Sequence, residues 1–217
     1  MAAMDRDALP ERARALLDFW FGAPGDPDCE SHRDIWFKST PEHDEMLQRR
    51  FLADHERAAA GELGSWEAAP LSALALVLLL DQIPRNVFRA TPRAYATDAM
   101  ARAVADRALA RGFDALLPPS WRKFFYMPLH HSESLADQRR ATALFESLPE
   151  DPARADNTRY SRRYLDIIRR FGRFPHRNAI LGRVSTPEEL EFLKEWDKRY
   201  EQPYENPAST DRVADQR

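Results

Sequence analysis

Leu71-Ser72-Ala73-Leu74-Ala75-Leu76-Val77-Leu78-Leu79-Leu80 runs without a break into Asp81-Gln82-Ile83-Pro84-Arg85-Asn86. Its first ten residues present apolar side chains all round a helix, so the segment has no face to offer water and must be buried in a core. Ten residues are about half of what a membrane-spanning helix needs. Proline disfavours helix at the residue before it, so a bend is predicted near Ile83. That bend puts a cluster of polar groups, Asp81, Gln82, Arg85, Asn86 and then Arg89, at the end of a core helix, where each group needs a partner.

Outward from this segment the chain reads as helix. Seven glycines among 217 residues, few β-branched runs and repeated 3.6-residue periodicity leave little room for a sheet. Tyr160, Tyr164, Ile167, Ile168 and Phe171 form one apolar stripe flanked by arginines, closed by Gly172. Thr186-Pro187-Glu188-Glu189 is a capping box with proline at the first helical position, and Thr40-Pro41 and Thr91-Pro92 carry the same start signal. Helices are predicted near 8–21, 43–60, 70–82, 93–111, 118–126, 133–148, 159–171 and 187–200. The fold class is all-α, built from antiparallel helical hairpins, with one domain over 1–202 and a loose tail over 203–217.

Composition sets the class of protein. Hydrophobic residues make up 43% and charged residues 31%, the balance of an ordinary soluble globule. The single cysteine, Cys29, excludes an internal disulfide, and the acidic Asp26, Asp28 and Glu30 around it disfavour a thiolate nucleophile. With no signal-peptide pattern at Met1–Asp7 and no membrane-length apolar run, a cytoplasmic protein is expected. Net charge is −3, unevenly spread: residues 1–60 carry 13 acidic and 8 basic side chains, whereas residues 159–183 carry eight arginines and one acid. Attraction between two parts of one fold accounts for this; with no recognised motif and no interleaved stacking aromatics, nucleic-acid binding is not expected.

Three polar clusters are candidates for function. At the bend, Asp81 either pairs internally with Arg85 while Asn86 bonds backbone, or Arg85 and Arg89 present forks to a carboxylate or phosphate. Arg173, His176, Arg177, Asn178 and Arg183, around Pro175, either line an anion site at a helix start or tie helices together. His131, beside Glu133, Asp137 and Gln138, has carboxylates close enough in sequence for acid–base work, with Ser132 read as a helix cap. Neither a His-Glu-x-x-His pair nor an acidic calcium loop is present, so no metal and no cofactor is assigned. Trp20, Phe21, Trp36 and Phe37 read as core anchors.

Leu17-Asp18-Phe19-Trp20-Phe21-Gly22, Leu79 through Asn86, His131-Ser132-Glu133 with Leu135-Ala136-Asp137-Gln138, and Phe171 through Asn178 followed by Ile180-Leu181-Gly182-Arg183 together resemble domain of unknown function 924, a mainly bacterial family of the tetratricopeptide-like helical superfamily. The resemblance spans roughly residues 10–196 and implies a stack of antiparallel helices in a right-handed superhelix, without implying an activity. Where the family pattern carries a histidine, this chain has Tyr164, which weakens a mechanism built on a histidine cluster.

Two functions follow as expectations. The first is a pocket for a small anionic molecule, binding or enzymatic, in which Asp81, Gln82, Arg85, Asn86, Asp137, Gln138, Arg173, Arg177 and Asn178 hold the ligand and His131, Glu133 and His176 move protons. The second is a helical scaffold whose groove takes a peptide or protein partner, the polar clusters serving as structural ties.

Overall fold

The computed structural model describes residues 6–27, 29, 31, 33–36, 40–149 and 152–200. Among them are nine α-helices and no strand: α1 Glu11–Phe21, α2 Pro41–Ala59, α3 Pro70–Val77, α4 Ile83–Val87, α5 Asp98–Ala110, α6 Pro119–His130, α7 Leu135–Glu146, α8 Pro152–Phe171 and α9 Pro187–Tyr200. The all-α fold class is therefore observed. The chain divides into two compact units, Met1–Phe174 and Pro175–Arg217. The predicted tail, 203–217, and Phe37 lie outside the described residues.

The first unit is built around Leu71–Leu80, every residue of which is buried. Large aliphatic side chains in such a place each contribute about 1.5–3 kcal/mol. Helix α3 packs against α1, α5 and α6. From α1 come Leu16, Leu17, Trp20 and Phe21; from α6 come Trp121, Phe124 and Phe125, all of them buried. Phe21 stacks on Trp121 at 4.3 Å between ring centroids and meets Phe124 edge-on at 5.4 Å. The Trp36 indole N–H donates to the Trp20 carbonyl at 2.7 Å, so Trp20, Phe21 and Trp36 are core anchors as expected.

Helix ends follow local chemistry, with three departures from the predicted bounds. Thr40 caps α2 by accepting from the His43 N–H at 3.3 Å, with Pro41 first in the helix. The Thr91-Pro92 signal opens only a short 3-10 turn, Pro92–Tyr95, and α5 begins after it at Asp98. Helix α6 runs on to His130, and α8 begins at Pro152, upstream of its apolar stripe. In that stripe Ile167 and Ile168 are buried and Gly172 closes the helix at φ +69°, a conformation glycine adopts without a Cβ penalty.

The predicted bend at Ile83 does not form; the chain stays helical and widens instead. Residues Leu78–Gln82 make a π turn in which the Ile83 N–H donates to the Leu78 carbonyl. In an α-helix Ile83 would serve Leu79, and residue 84 would serve Leu80, but Pro84 has no N–H. Both carbonyls are thereby left inside the core, where an unpaired acceptor is costly. Two side chains from other helices meet them. His55 Nδ1–H donates to the Leu79 carbonyl at 2.8 Å, and the Thr97 hydroxyl donates to that of Leu80 at 2.6 Å. Proline thus shapes this core helix by removing a donor rather than by breaking it.

Among the described residues the second unit holds one 3-10 turn, Pro175–Arg177, and α9. The predicted capping box is present: the Thr186 N–H donates to Glu189 Oε2 at 2.7 Å and the Glu189 N–H donates to Thr186 Oγ1 at 3.2 Å.

Candidate functional site

The π turn faces Asp81 toward α6, where helix and chain turn at His130 and His131. Asp81 is fully buried. Its Oδ1 accepts from His131 Nδ1 at 2.8 Å and lies 3.1 Å from Arg85 Nη1. Its Oδ2 accepts from the Gln82 amide at 2.6 Å. Arg85, one turn on, also donates from Nη1 to the Asp81 backbone carbonyl at 2.7 Å, and it faces Asp98 at the first position of α5, with Nη1–Oδ1 at 2.8 Å and Nη2–Oδ2 at 2.9 Å. The i, i+4 spacing of Asp81 and Arg85 puts both on one helix face. The internal pairing scheme for the bend is what the chain adopts here.

Charge follows from this geometry. Burial pushes the Asp81 carboxyl up, but the Arg85 charge, then His131 and Gln82, outweigh it and hold the group well below the usual carboxylate range. Burial pushes the His131 imidazole down and Arg85 pushes the same way, against Asp81. Arg85, whose charge burial opposes, is raised by Asp81 and Asp98. The ion pair is therefore Asp81 with Arg85, and His131 is a neutral imidazole with its proton on Nδ1. Among the described residues its Nε2 meets no hydrogen-bond partner and it is not an enclosed atom; the side chain is 15% exposed.

The other predicted residues divide by place. Asn86 donates to the Gln82 carbonyl at 3.0 Å and accepts from Arg89, which pairs with Asp44 at 2.9 Å. Ser132 does not cap α7, correcting that expectation: Ser134 accepts from the Asp137 N–H, while the Ser132 hydroxyl donates to the Asp137 carboxylate at 2.6 Å. Ser134 directly precedes the first helical residue, Leu135, and so reaches the amide of the third, Asp137. Asp137 also lies 3.5 Å from Arg102 of α5. Gln138 is fully buried and donates to the carbonyls of His130 and Ser132, each at 2.6 Å, clamping the backbone on either side of His131. Glu133 accepts from the Phe174 N–H at 2.8 Å, and Arg173 is half-buried beside it in sequence.

His176, Arg177 and Asn178 belong to the second unit. His176 stacks on Trp196 at 4.6 Å. Arg177 is buried; Asn178, fully buried, donates to Ser185 Oγ at 3.0 Å and Glu189 Oε2 at 3.2 Å. Pro175 opens one 3-10 turn, Pro175–Arg177, in place of the helix expected there.

Three participants escaped the sequence reading. Asp98 and Thr97 were placed inside a helix starting near 93, and His55 sits on the apolar face of α2 with nothing in its neighbourhood to mark it. Within the basic stretch Arg159 pairs with Asp156, Arg162 with Glu146 and Arg169 with Asp166. Two surface depressions are lined by other residues than His131, one of about 560 Å³ by Asp44, Val87 and Arg89, and one of about 190 Å³ by Leu63, Leu80 and Met100. Among the described residues no group of three or more His, Cys, Asp or Glu is placed to hold a metal ion, and no helix is long and apolar enough to cross a membrane.

The chain is similar to a solved protein of unknown function from Agrobacterium tumefaciens, at 42% identity over 84% of this chain and 97% of that one, with a TM-score of 0.74. No curated protein matches it. Residues 16–197 match the family described as bacterial protein of unknown function, DUF924. Over that span, the Asp81 network and the turn carrying His131 included, the chain belongs to the DUF924 family.

Proposed function

We propose that this protein binds a small molecule at the solvent-facing edge of the Asp81–Arg85–His131 network, and that His131 Nε2 accepts a hydrogen bond or a proton from it. The observation that carries the reading is the 2.8 Å contact between Asp81 and His131 Nδ1, which fixes one tautomer and turns the basic nitrogen outward. A carboxylate behind an imidazole is the arrangement by which proteins orient a general base and steady the imidazolium that forms when it takes a proton. Gln138 contributes by holding the carbonyls on both sides of His131, and Asp98 by sharing Arg85 with Asp81. Arg85, with its Nη atoms facing two carboxylates, is a structural cation in this site rather than an anion receptor.

The test is a thermal-shift screen of the wild type and His131→Gln against small metabolites. A compound bound by the native state alone raises its melting temperature further as its concentration rises, with the logarithm of concentration once the site is well occupied. The reading expects at least one compound that stabilises the wild type and loses its effect in a folded His131→Gln. Hits that stabilise both proteins equally would remove His131 from the site.

A second reading has its own observation. Among the described residues Asp81, Gln82 and Arg85 turn their polar atoms on one another, on His131 and on Asp98, as expected of ties that lock α3 and α4 to α5 and α6 in a tetratricopeptide-like scaffold for a peptide or protein partner. Affinity capture with the full chain, compared between wild type and His131→Gln, separates the two: a scaffold keeps its partners when His131 changes.

A further inference from the structure

The depression of about 190 Å³ owes its space to small residues. Ala58, Gly61, Gly64 and Ala103 line it with no side chain beyond Cβ, and a Cβ placed on Gly61 or Gly64 would touch nothing within 4 Å. Its floor is apolar and buried: Leu76 and Leu80, one turn apart on the core helix, with Leu63 and Val104. Met100, 37% exposed, lines it as well and reaches solvent. An apolar cavity of about 150 Å³ is enough to bind benzene, so this one takes a small ring or a chain of about six carbons. The rim carries one ion pair. Arg107 Nε and Nη2 donate to the two oxygens of Glu67 at 2.6 and 2.8 Å, which fixes the guanidinium in place. Its Nη1 meets no acceptor among the described residues. Arg111, one turn on, donates to the carbonyls of Glu67 and Ala68 at 2.6 and 3.0 Å, so two guanidinium charges stand against the one carboxylate of Glu67. Asp106, next to Arg107 in sequence, is paired with Arg140. An apolar floor with a few fixed polar groups at its edge is the usual make-up of a small-molecule site.

We propose that this cleft binds an apolar monocarboxylate of about six carbons, its chain over Leu76 and Leu80 and its carboxylate accepting from Arg107 Nη1. A neutral compound of the same shape forfeits the charge-assisted hydrogen bond, and acetate forfeits the burial of the chain. The site is separate from the one proposed at His131, which does not line this cleft.

Full-length protein carrying ¹³C in its methionine methyl groups allows Met100 to be followed while sodium hexanoate, 1-hexanol or sodium acetate is added at constant ionic strength. Hexanoate is expected to move the Met100 signal saturably, hexanol to do so with about fivefold weaker affinity, and acetate to leave it in place. Arg107→Gln is expected to weaken hexanoate about fivefold and to leave hexanol unchanged. Glu67→Gln, which releases the other arms of Arg107, is expected to tighten hexanoate. Ala103→Leu, which fills the cleft from α5, is expected to abolish binding of both. Equal affinities for hexanoate and hexanol, or a hexanoate affinity indifferent to Arg107→Gln, overturn the carboxylate. A Met100 signal that neither hexanoate nor hexanol moves overturns the site, as does hexanoate binding that persists in an Ala103→Leu protein whose circular dichroism matches the wild type. Arg107 is exposed, so its variant decides the matter even where Ala103→Leu fails to fold.

Discussion

Asp81 is a charge inside a core, and a charge there is tolerated only when its partners are fixed. Removing it leaves Arg85 with Asp98 alone and leaves the His131 Nδ1–H without its acceptor. Asp81→Asn is expected to lower the unfolding free energy in urea by about 3 kcal/mol, toward the low end of the range for breaking a buried pair, because Arg85 is partly exposed and keeps one carboxylate. A loss below about 0.5 kcal/mol, typical of surface pairs, would mean the network carries no buried charge. The ring of His131 gives a second check. Long-range ¹H–¹⁵N spectra should show the Nδ1–H tautomer in the wild type, and a mixture of tautomers in a folded Asp81→Asn would follow from replacing a carboxylate, which only accepts, by an amide that can turn either its oxygen or its N–H toward the ring.

At the scale of elements, the π turn is the device that places Asp81, and it depends on two side chains outside its own helix. Thr97→Val keeps the shape of the side chain and withdraws the donor from the Leu80 carbonyl. An unsatisfied buried acceptor costs about 1–3 kcal/mol, so the urea midpoint should fall accordingly with an unchanged denaturant slope. An unaltered midpoint would show that the Leu80 carbonyl finds another donor. Helix α9 offers a simpler case. Thr186→Ala removes half of the capping box and is expected to cost about 1 kcal/mol, seen as roughly fivefold faster amide exchange over Leu190–Trp196 if those amides exchange by local opening. Equal exchange rates in the two proteins would count against a capping role.

At the scale of the whole molecule, three histidines among the described residues, His43, His55 and His131, have their proton affinity lowered, in each case chiefly by burial. In the unfolded chain each titrates near about 6.5. Below that pH the unfolded state binds protons that the native state does not, so stability is expected to fall as pH drops through about 6.5 toward the native values. Asp81 does not add to this window, since its carboxyl stays ionised well below it. Urea midpoints measured between about pH 7.5 and about pH 5.5 should decline, and His43→Gln, which removes one titrating ring, should make the decline shallower. A midpoint that rises as pH falls over this interval contradicts neutral burial of these rings.

The sequence by itself determined the helices and the buried status of Leu71–Leu80, because apolar periodicity, caps and the absence of any polar face are local properties that a chain carries wherever it folds. The pairing of Asp81 with Arg85 was legible for the same reason, being one turn apart on one helix. The meeting of Asp81 with His131 was not, since 50 residues separate them and only the packing of α3 and the π turn against α6 brings the carboxylate to the ring. Tertiary structure likewise decided that Pro84 would widen its helix rather than bend it. The outcome depended on whether donors from elsewhere could reach the freed carbonyls, and His55 and Thr97 lie on other elements. Arg85 became a tie because Asp98 arrived from α5, and Asn178 because Ser185 and Glu189 enclosed it. Which polar groups are spent internally and which remain open to a ligand is a question of partners in space, and that leaves His131 Nε2 as the basic atom facing solvent in the Asp81 network.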